Sequence, residues 1–426
     1  MGPDTLLSTP ASAATRRIRA TLRALALVAA PVLLASCGGD GYDNGCYGCN
    51  LGPPTEFAFG VVAGDFNNDG LPDVLQISTV QPETFPNPSS LKTFLATAAG
   101  AYGNPSYTSA GDDPLYMASA DLNGDGYRDV VTASFEDGAL YVFFNDKLAA
   151  GTFNAPLMLS SPGASQVAIG DMNGDGLPDL VSADFGVSLF VQTSPGTFAA
   201  PIPLYSGGAN WVAVGDLNGD GAADVALTDD VGVKVLMHTG AASSTTFAAP
   251  VSVFTQTSNA NVSGANIIAI ADVDGDDLND LIITDPGPTG GMAPTVNVLL
   301  QDPANHGSFL APVSYPIATQ DLPQSIVMAD LEGTGKLDIV IGGLNTITVL
   351  LHDPANPGKF LPAAMYSAPG ANEIAIADVN GDGKPDIIVS NGVTQPVING
   401  VVTTHPGVLL QSSTTAGTFG AVQDLP

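Results

Sequence analysis

Asp171-Met172-Asn173-Gly174-Asp175-Gly176-Leu177-Pro178-Asp179 is a D-x-N-x-D-G-x-x-D loop, and its recurrence decides the fold. Loops of this design begin at Asp65, Asp121, Asp171, Asp216, Asp272, Asp330 and Asp378, 45 to 58 residues apart. A repeat of about fifty residues with room for four strands is the signature of a propeller or a solenoid.

The loop composition points to calcium, a hard cation that takes six to eight oxygen ligands at roughly 2.3–2.6 Å. Acids or amides at positions 1, 3 and 5 of a tight turn can converge on one ion, joined by the carbonyl at position 7. Gly at position 6 permits the positive φ that folds the chain around it. Five copies keep the full pattern. These are Asp65, Asn67 and Asp69 in the first, Asp121, Asn123 and Asp125 in the second, and Asp171, Asn173 and Asp175 in the third. Asp216, Asn218 and Asp220 follow in the fourth, and Asp378, Asn380 and Asp382 in the seventh. The fifth loop, with Asp272, Asp274 and Asp276, has Asp277 in place of Gly, and Asp tolerates left-handed geometry better than most residues. The closing ligand at position 9 is Asp73, Asp129, Asp179, Asp224, Asp280, Asp338 or Asp386. The sixth loop is the weak one: Asp330, Glu332, Thr334 and Asp338 put a longer acid at position 3 and a neutral hydroxyl at position 5. The expectation is about six Ca²⁺ sites.

An EF-hand does not fit. Its twelfth position is a bidentate Glu, whereas here that place holds Gln76, Thr132, Ser182, Leu227, Ile283, Ile341 or Val389. The loops also run into β-branched strings such as Asp386-Ile387-Ile388-Val389, not into a helix. A single cluster of Asp, Asn and Gly is ordinarily a solvated turn; seven aligned copies outweigh that reading.

Residues 1–36 read as an export signal: Arg16, Arg17, Arg19 and Arg23 precede the short apolar run Ala24 to Ala35. That run falls short of the ~20 residues a spanning helix needs. It ends Leu34-Ala35-Ser36-Cys37-Gly38, which resembles a bacterial lipobox. The resemblance implies lipidation of Cys37, a tether over residues 37–56 and, with Gly38 after the Cys, an outer-membrane address; secretion is the alternative. Cys46 and Cys49, the other two cysteines, are most simply a local disulfide outside the cytoplasm.

Removing residues 1–36 takes four of eleven basic residues and one of 42 acids, leaving seven against 41, a net charge of −34. Of those 41 acids, 22 stand at loop positions 1, 3, 5 or 9. Such a chain excludes nucleic acid as a partner, because Lys and Arg dominate affinity for phosphates.

Before each loop, small and large residues alternate: Ala168 and Gly170 with Val167 and Ile169, Ala213 and Gly215 with Val212 and Val214. Period two means a strand, and a small-residue face suits the crowded innermost strand of a ring. Two more apolar strands follow, then a Gly-x-Phe-x-x-Pro segment such as Gly196-Thr197-Phe198-Ala199-Ala200-Pro201 that opens a fourth. Residues 57–426 are thus expected to form an all-β, seven-bladed β-propeller of four-stranded blades, each calcium loop joining the first and second strands.

This combination of calcium loop and Phe/Gly/Pro strand resembles the FG-GAP and VCBS repeats, the class that builds the integrin α-chain head, over essentially all of residues 57–426. The resemblance implies calcium in loops on one rim and partners on the other. It reaches the loop ligands only; with no Arg-Gly-Asp in the chain, the resemblance does not carry over an integrin-like signalling role.

On the opposite rim, the positions opening each inner strand do not repeat. Tyr116, Asn210, Trp211 and Asn372 there suit a glycan or peptide, as amides beside aromatic platforms do; the plain alternative is ordinary turn residues. The functional expectation is an exported, envelope-anchored, non-catalytic binding, adhesion or scaffold module that meets the membrane through its lipid alone. The alternative is a carbohydrate-active enzyme, a lyase or glycosidase, on a propeller frame. Against it, the patterned acids suit calcium, and His238 and His352 stand where other repeats carry Asn145, Gln192, Gln301 and Gln411.

Overall fold

The computed structural model describes residues 55–81, 89–183, 185–240, 244–255, 267–287, 294–317, 322–392, 397–398, 401–402 and 404–425. The export signal, Cys37, Cys46 and Cys49 lie outside them.

Seven antiparallel sheets of four blade strands each form a β-propeller. Blade 3 is representative, with Gln166–Gly170 innermost, then Asp179–Ala183, Val187–Phe190 and Ile202–Tyr205. The innermost strands are Thr55–Gly64, Pro114–Ala120, Gln166–Gly170, Trp211–Gly215, Ile268–Ala271, Pro323–Ala329 and Ile374–Ala377. Each contacts the next around the ring, and the last contacts the first.

The alternation in the inner strands has a steric cause. A Cβ on Gly170 would stand 2.8 Å from Val214 Cγ2 of blade 4, and one on Gly215 would stand 2.9 Å from Ile270 Cγ2 of blade 5. The small face of each strand is where the next blade's large face arrives.

The core lies between blades. Among the described residues there are seven buried apolar clusters, one per interface. The cluster between blades 3 and 4 joins Met172, Val181 and Leu189 to Val212, Val225 and Leu227. The cluster closing blade 7 onto blade 1 joins Val379, Ile388 and Val408 to Val61, Val74 and Phe94.

The Phe of the Gly-x-Phe-x-x-Pro segment pairs back onto the end of the third strand, as in Asn145 with Phe153 and Gln301 with Phe309. The fourth strand begins just past the Pro, at Leu157, Ile202, Val251 and Val313. Proline has no N–H for a ladder, so pairing resumes only after it.

Among the described residues, the four blade strands of each sheet come from a single repeat. The ring is closed by side chains and by one short hairpin. Gln76 Nε2 donates to Ser390 O at 2.6 Å, and the buried Lys92 Nζ donates to Thr404 O at 2.6 Å. A short hairpin from the last repeat, Val397–Ile398 and Val401–Val402, also extends the first sheet through a parallel bridge from Val402 to Thr55.

Candidate metal centre

Each Asp-rich loop joins the first strand of a blade to its second, and its own side chains shape it. In the third copy, Asp171 Oδ1 accepts from Gly174 N at 2.7 Å and Asp175 N at 3.1 Å, and Asp171 Oδ2 accepts from Gly176 N at 2.8 Å. Asn173 Oδ1 accepts from Asp175 N at 2.9 Å, and Asp175 Oδ1 from Leu177 N at 2.8 Å. The side-chain groups at positions 1, 3 and 5 are thereby gathered into one turn, where Asp171 Oδ2, Asn173 Oδ1 and Asp175 Oδ1 each accept one of these N–H groups and keep a further lone pair. Position 6 has positive φ throughout: Gly176 is at 86° and Asp277, which replaces Gly in the fifth copy, is at 68°.

The other Asn-containing copies repeat these bonds. In the first, Asp65 Oδ2 accepts from Gly70 N at 2.8 Å, Asn67 Oδ1 from Asp69 N at 2.9 Å, and Asp69 Oδ1 from Leu71 N at 2.9 Å. In the second, Asp121 Oδ2 accepts from Gly126 N, Asn123 Oδ1 from Asp125 N, and Asp125 Oδ1 from Tyr127 N, at 2.9, 2.9 and 3.0 Å. In the fourth, Asp216 Oδ2 accepts from Gly221 N, Asn218 Oδ1 from Asp220 N, and Asp220 Oδ1 from Ala222 N, at 2.8, 2.8 and 2.9 Å. In the seventh, Asp378 Oδ2 accepts from Gly383 N, Asn380 Oδ1 from Asp382 N, and Asp382 Oδ1 from Lys384 N, at 2.7, 2.8 and 3.0 Å.

The loop is anchored from below by two residues. Position 2 (Phe66, Leu122, Met172, Leu217, Val273, Leu331, Val379) is buried in the interface with the next blade. Position 9 opens the second strand, and its carboxylate is buried in every copy. One oxygen accepts the position-2 N–H at 2.8 to 3.2 Å. The other accepts a backbone N–H from the end of the third strand at 2.6 to 2.8 Å, donated by Ala96, Asn145, Gln192, His238, Gln301, His352 or Gln411. Burial pushes the Asp179 carboxyl up to about 6, against the pull of these two bonds. The same holds for Asp73, Asp129, Asp224 and Asp386, while Asp280 is pushed up to about 7.

Neighbouring blades brace the loops. The Gly of the Gly-x-Phe segment packs on the preceding blade's loop: Gly196 N donates to Leu122 O at 3.1 Å, and Gly100 N donates to Val379 O at 2.8 Å across the closure. Loops also touch directly, Asn68 Nδ2 reaching Gly126 O at 3.0 Å and Lys336 Nζ reaching Asp274 O at 3.2 Å.

The donor set suits calcium, though the copies differ in charge. In the fifth, carboxylate oxygens of Asp272, Asp274 and Asp276 all lie within 4.8 Å of one another. Ligands on opposite sides of one Ca²⁺ are about 5 Å apart and adjacent ones closer. Burial and then repulsion from Asp276 raise the Asp274 pKa. Among the described residues, no other loop gathers acids at positions 1, 3 and 5 in this way. Asn67, Asn123, Asn173, Asn218 and Asn380 each supply a neutral amide oxygen instead. Their cradles therefore carry two charges, on Asp65 and Asp69, Asp121 and Asp125, Asp171 and Asp175, Asp216 and Asp220, or Asp378 and Asp382. In the sixth, Asp330 makes the same bonds to Thr334 N and Gly335 N at 2.9 and 2.7 Å, but Thr334 offers no charge.

At the other end of the inner strands, Tyr116 and Trp211 come together. Their rings meet edge to face with centroids 5.1 Å apart, reaching from blades 2 and 4 across blade 3. Asn210 bonds Asp230, with Nδ2 3.4 Å from Oδ1, and Asn372 Nδ2 lies 3.4 Å from Ala58 O, part of the ring closure. Beside it, Glu373 is buried in the same closure and accepts the Val61 N–H. The sequence pattern marks neither Glu373 nor the buried Gln166, whose Oε1 accepts from Val212 N at 3.1 Å, since neither recurs. The third-strand polar residues were visible as a recurring position, but their bond to the position-9 Asp was not.

The FG-GAP-like repeat family matches residues 121–182, 171–227, 216–283, 272–341 and 330–389, each match running from one Asp-rich loop into the strand beyond the next. No curated protein matches the chain. Among solved structures, the chain is similar to an Agrocybe aegerita lectin that recognises non-reducing terminal N-acetylglucosamine: 16% identity, 73% of this chain and 80% of that one covered, TM-score 0.50. It is also similar to the V. cholerae biofilm matrix protein Bap1, at 12% identity over 79% of this chain and 84% of that one, TM-score 0.41. The likeness to the lectin describes the fold alone.

Proposed function

The chain belongs to the FG-GAP-like repeat family, and on that premise we propose that it is a calcium-stabilised, non-catalytic propeller that binds a ligand or scaffolds a larger assembly. The carrying observation is the set of repeated oxygen cradles, each pinned by a buried Asp to the seam between two blades. A cation in each cradle would neutralise the acids where blades meet, tying metal to rigidity rather than to chemistry. Six loops keep the full donor set, and the sixth copy is set apart by Thr334.

In this reading the lipobox-like stretch ending at Cys37 anchors the molecule to the outer membrane by lipid, or releases it outside the cell if the Cys is unmodified. Extracellular calcium modules bind at about 10⁻⁴–10⁻³ M, which suits such a location. The ligand surface is the rim opposite the loops, where Tyr116 and Trp211 form an aromatic pair. Aromatic faces beside hydrogen-bonding groups favour a glycan.

A glycan array probed with the mature domain tests the reading. Discrete hits that vanish on Trp211→Ala and on chelation are the expected result for a lectin; a calcium-loaded protein without hits points to the scaffold role. Turnover of an arrayed glycan would contradict the non-catalytic assignment.

A further inference from the structure

We propose that the sixth repeat holds a transition-metal ion, zinc fitting best, through His352 Nδ1, Glu332 and Asp338, in place of calcium. The three ligand atoms lie within 4.8 Å of one another. His352 Nδ1 is 3.9 Å from Glu332 Oε2 and 3.7 Å from Asp338 Oδ1. The histidine is 8% exposed, and its Nδ1 is buried without a hydrogen-bond partner. Both contacts are too long for hydrogen bonds, and a buried nitrogen left in that state is costly unless something else fills the gap.

The neighbouring repeats show how unusual this is. At the same place, Gln192, Gln301 and Gln411 donate to the carbonyls of Pro178, Asn279 and Pro385 at 2.8, 2.9 and 2.9 Å. Asn145 donates to Arg128 O at 3.0 Å, and His238 Nε2 pairs with Ser244 O at 2.9 Å. Only in the sixth copy does a ring nitrogen at this place face two carboxylates.

The changes in the loop run together. Thr334 removes the position-5 carboxylate that calcium would use, Glu332 adds a methylene that carries its carboxylate toward the third strand, and His352 supplies nitrogen. Calcium takes oxygen, whereas imidazole with carboxylate suits Zn²⁺ and its neighbours. Tetrahedral zinc at bond lengths near 2.0–2.2 Å places its ligands about 3.3–3.6 Å apart, so the two histidine-to-carboxylate contacts need to shorten by a few tenths of an ångström. Both oxygens of Asp338 are held by the N–H groups of Leu331 and His352 at 2.8 Å, which orients the acid as a second shell does. Three protein ligands leave one position for water.

Calcium-saturated mature protein titrated with Zn²⁺, and in parallel with Co²⁺ as the spectroscopic probe, tests this. One equivalent of zinc should bind, and Co²⁺ should show the intense visible bands of a low-coordinate site with a nitrogen ligand. His352→Gln restores the residue of three other repeats and so preserves the blade; it should weaken zinc by about a hundredfold or more while bound calcium stays the same. Glu332→Asn should weaken zinc as well. Zinc binding equal in wild type and His352→Gln overturns the proposal, as does displacement of the zinc by millimolar calcium. Calcium in the other loops is counted separately, so zinc can fail while calcium stands, and the reverse.

Discussion

At the residue scale, one loop contains two kinds of Asp. Asp175 bonds only within its own turn, whereas Asp179 is buried and holds two backbone N–H groups together. Asp175→Ala should therefore lose one equivalent of calcium and leave the metal-free protein as stable as before. Asp179→Ala strands two buried donors, at about 1–3 kcal/mol each, and should destabilise with or without calcium. Denaturation of both variants in calcium and in chelator separates the two roles. Glu373 supplies a second prediction. Burial raises its pKa well above the usual carboxylate value, with Tyr116 the acidic group near it. A raised folded pKa contributes stability below the unfolded value of ~4.3 that is lost as pH rises through the folded value. Glu373→Gln, which does not titrate, should flatten that loss, read as melting temperature against pH. The loop residues were legible because chemistry repeats them. Glu373 was not, because it occurs once, and His352 was visible only as one of the recurring third-strand polar residues.

At the scale of elements, the period-two pattern before each loop revealed the inner strands, and their small face proved to be the seam between blades. Gly170→Val should overpack against Val214, costing about 1–3 kcal/mol. Hydrogen exchange should show the loss concentrated in the strands flanking the seam between blades 3 and 4. The outer edge was harder to place. The Gly-x-Phe segment looks like the start of a strand, yet its Phe pairs with the third strand, and the Gly beside it braces the previous blade's loop. That contact joins different repeats, which a pattern within one repeat does not display.

At the scale of the molecule, seven loops counted seven blades, but the closure could not be read from the repeat. It depends on Gln76, Lys92 and Asn391, which donate across the seam at 2.6, 2.6 and 3.3 Å. These are single substitutions on a periodic background. The charge is a property of the whole as well. Like charges about 4 Å apart repel by ~1 kcal/mol in water and ~4 kcal/mol near a protein surface, less as salt rises. Repeated round one rim, this makes the metal-free ring weaker than the loaded one, most of all at low ionic strength. Chelation should lower the melting temperature substantially, and added salt should restore part of it. The most direct test is a count of calcium bound per mature chain, taken with the melting curve before and after chelation. Close to six ions, and a large fall in melting temperature when they are removed, is the result predicted here. A protein that binds no calcium and melts unchanged in chelator would contradict it.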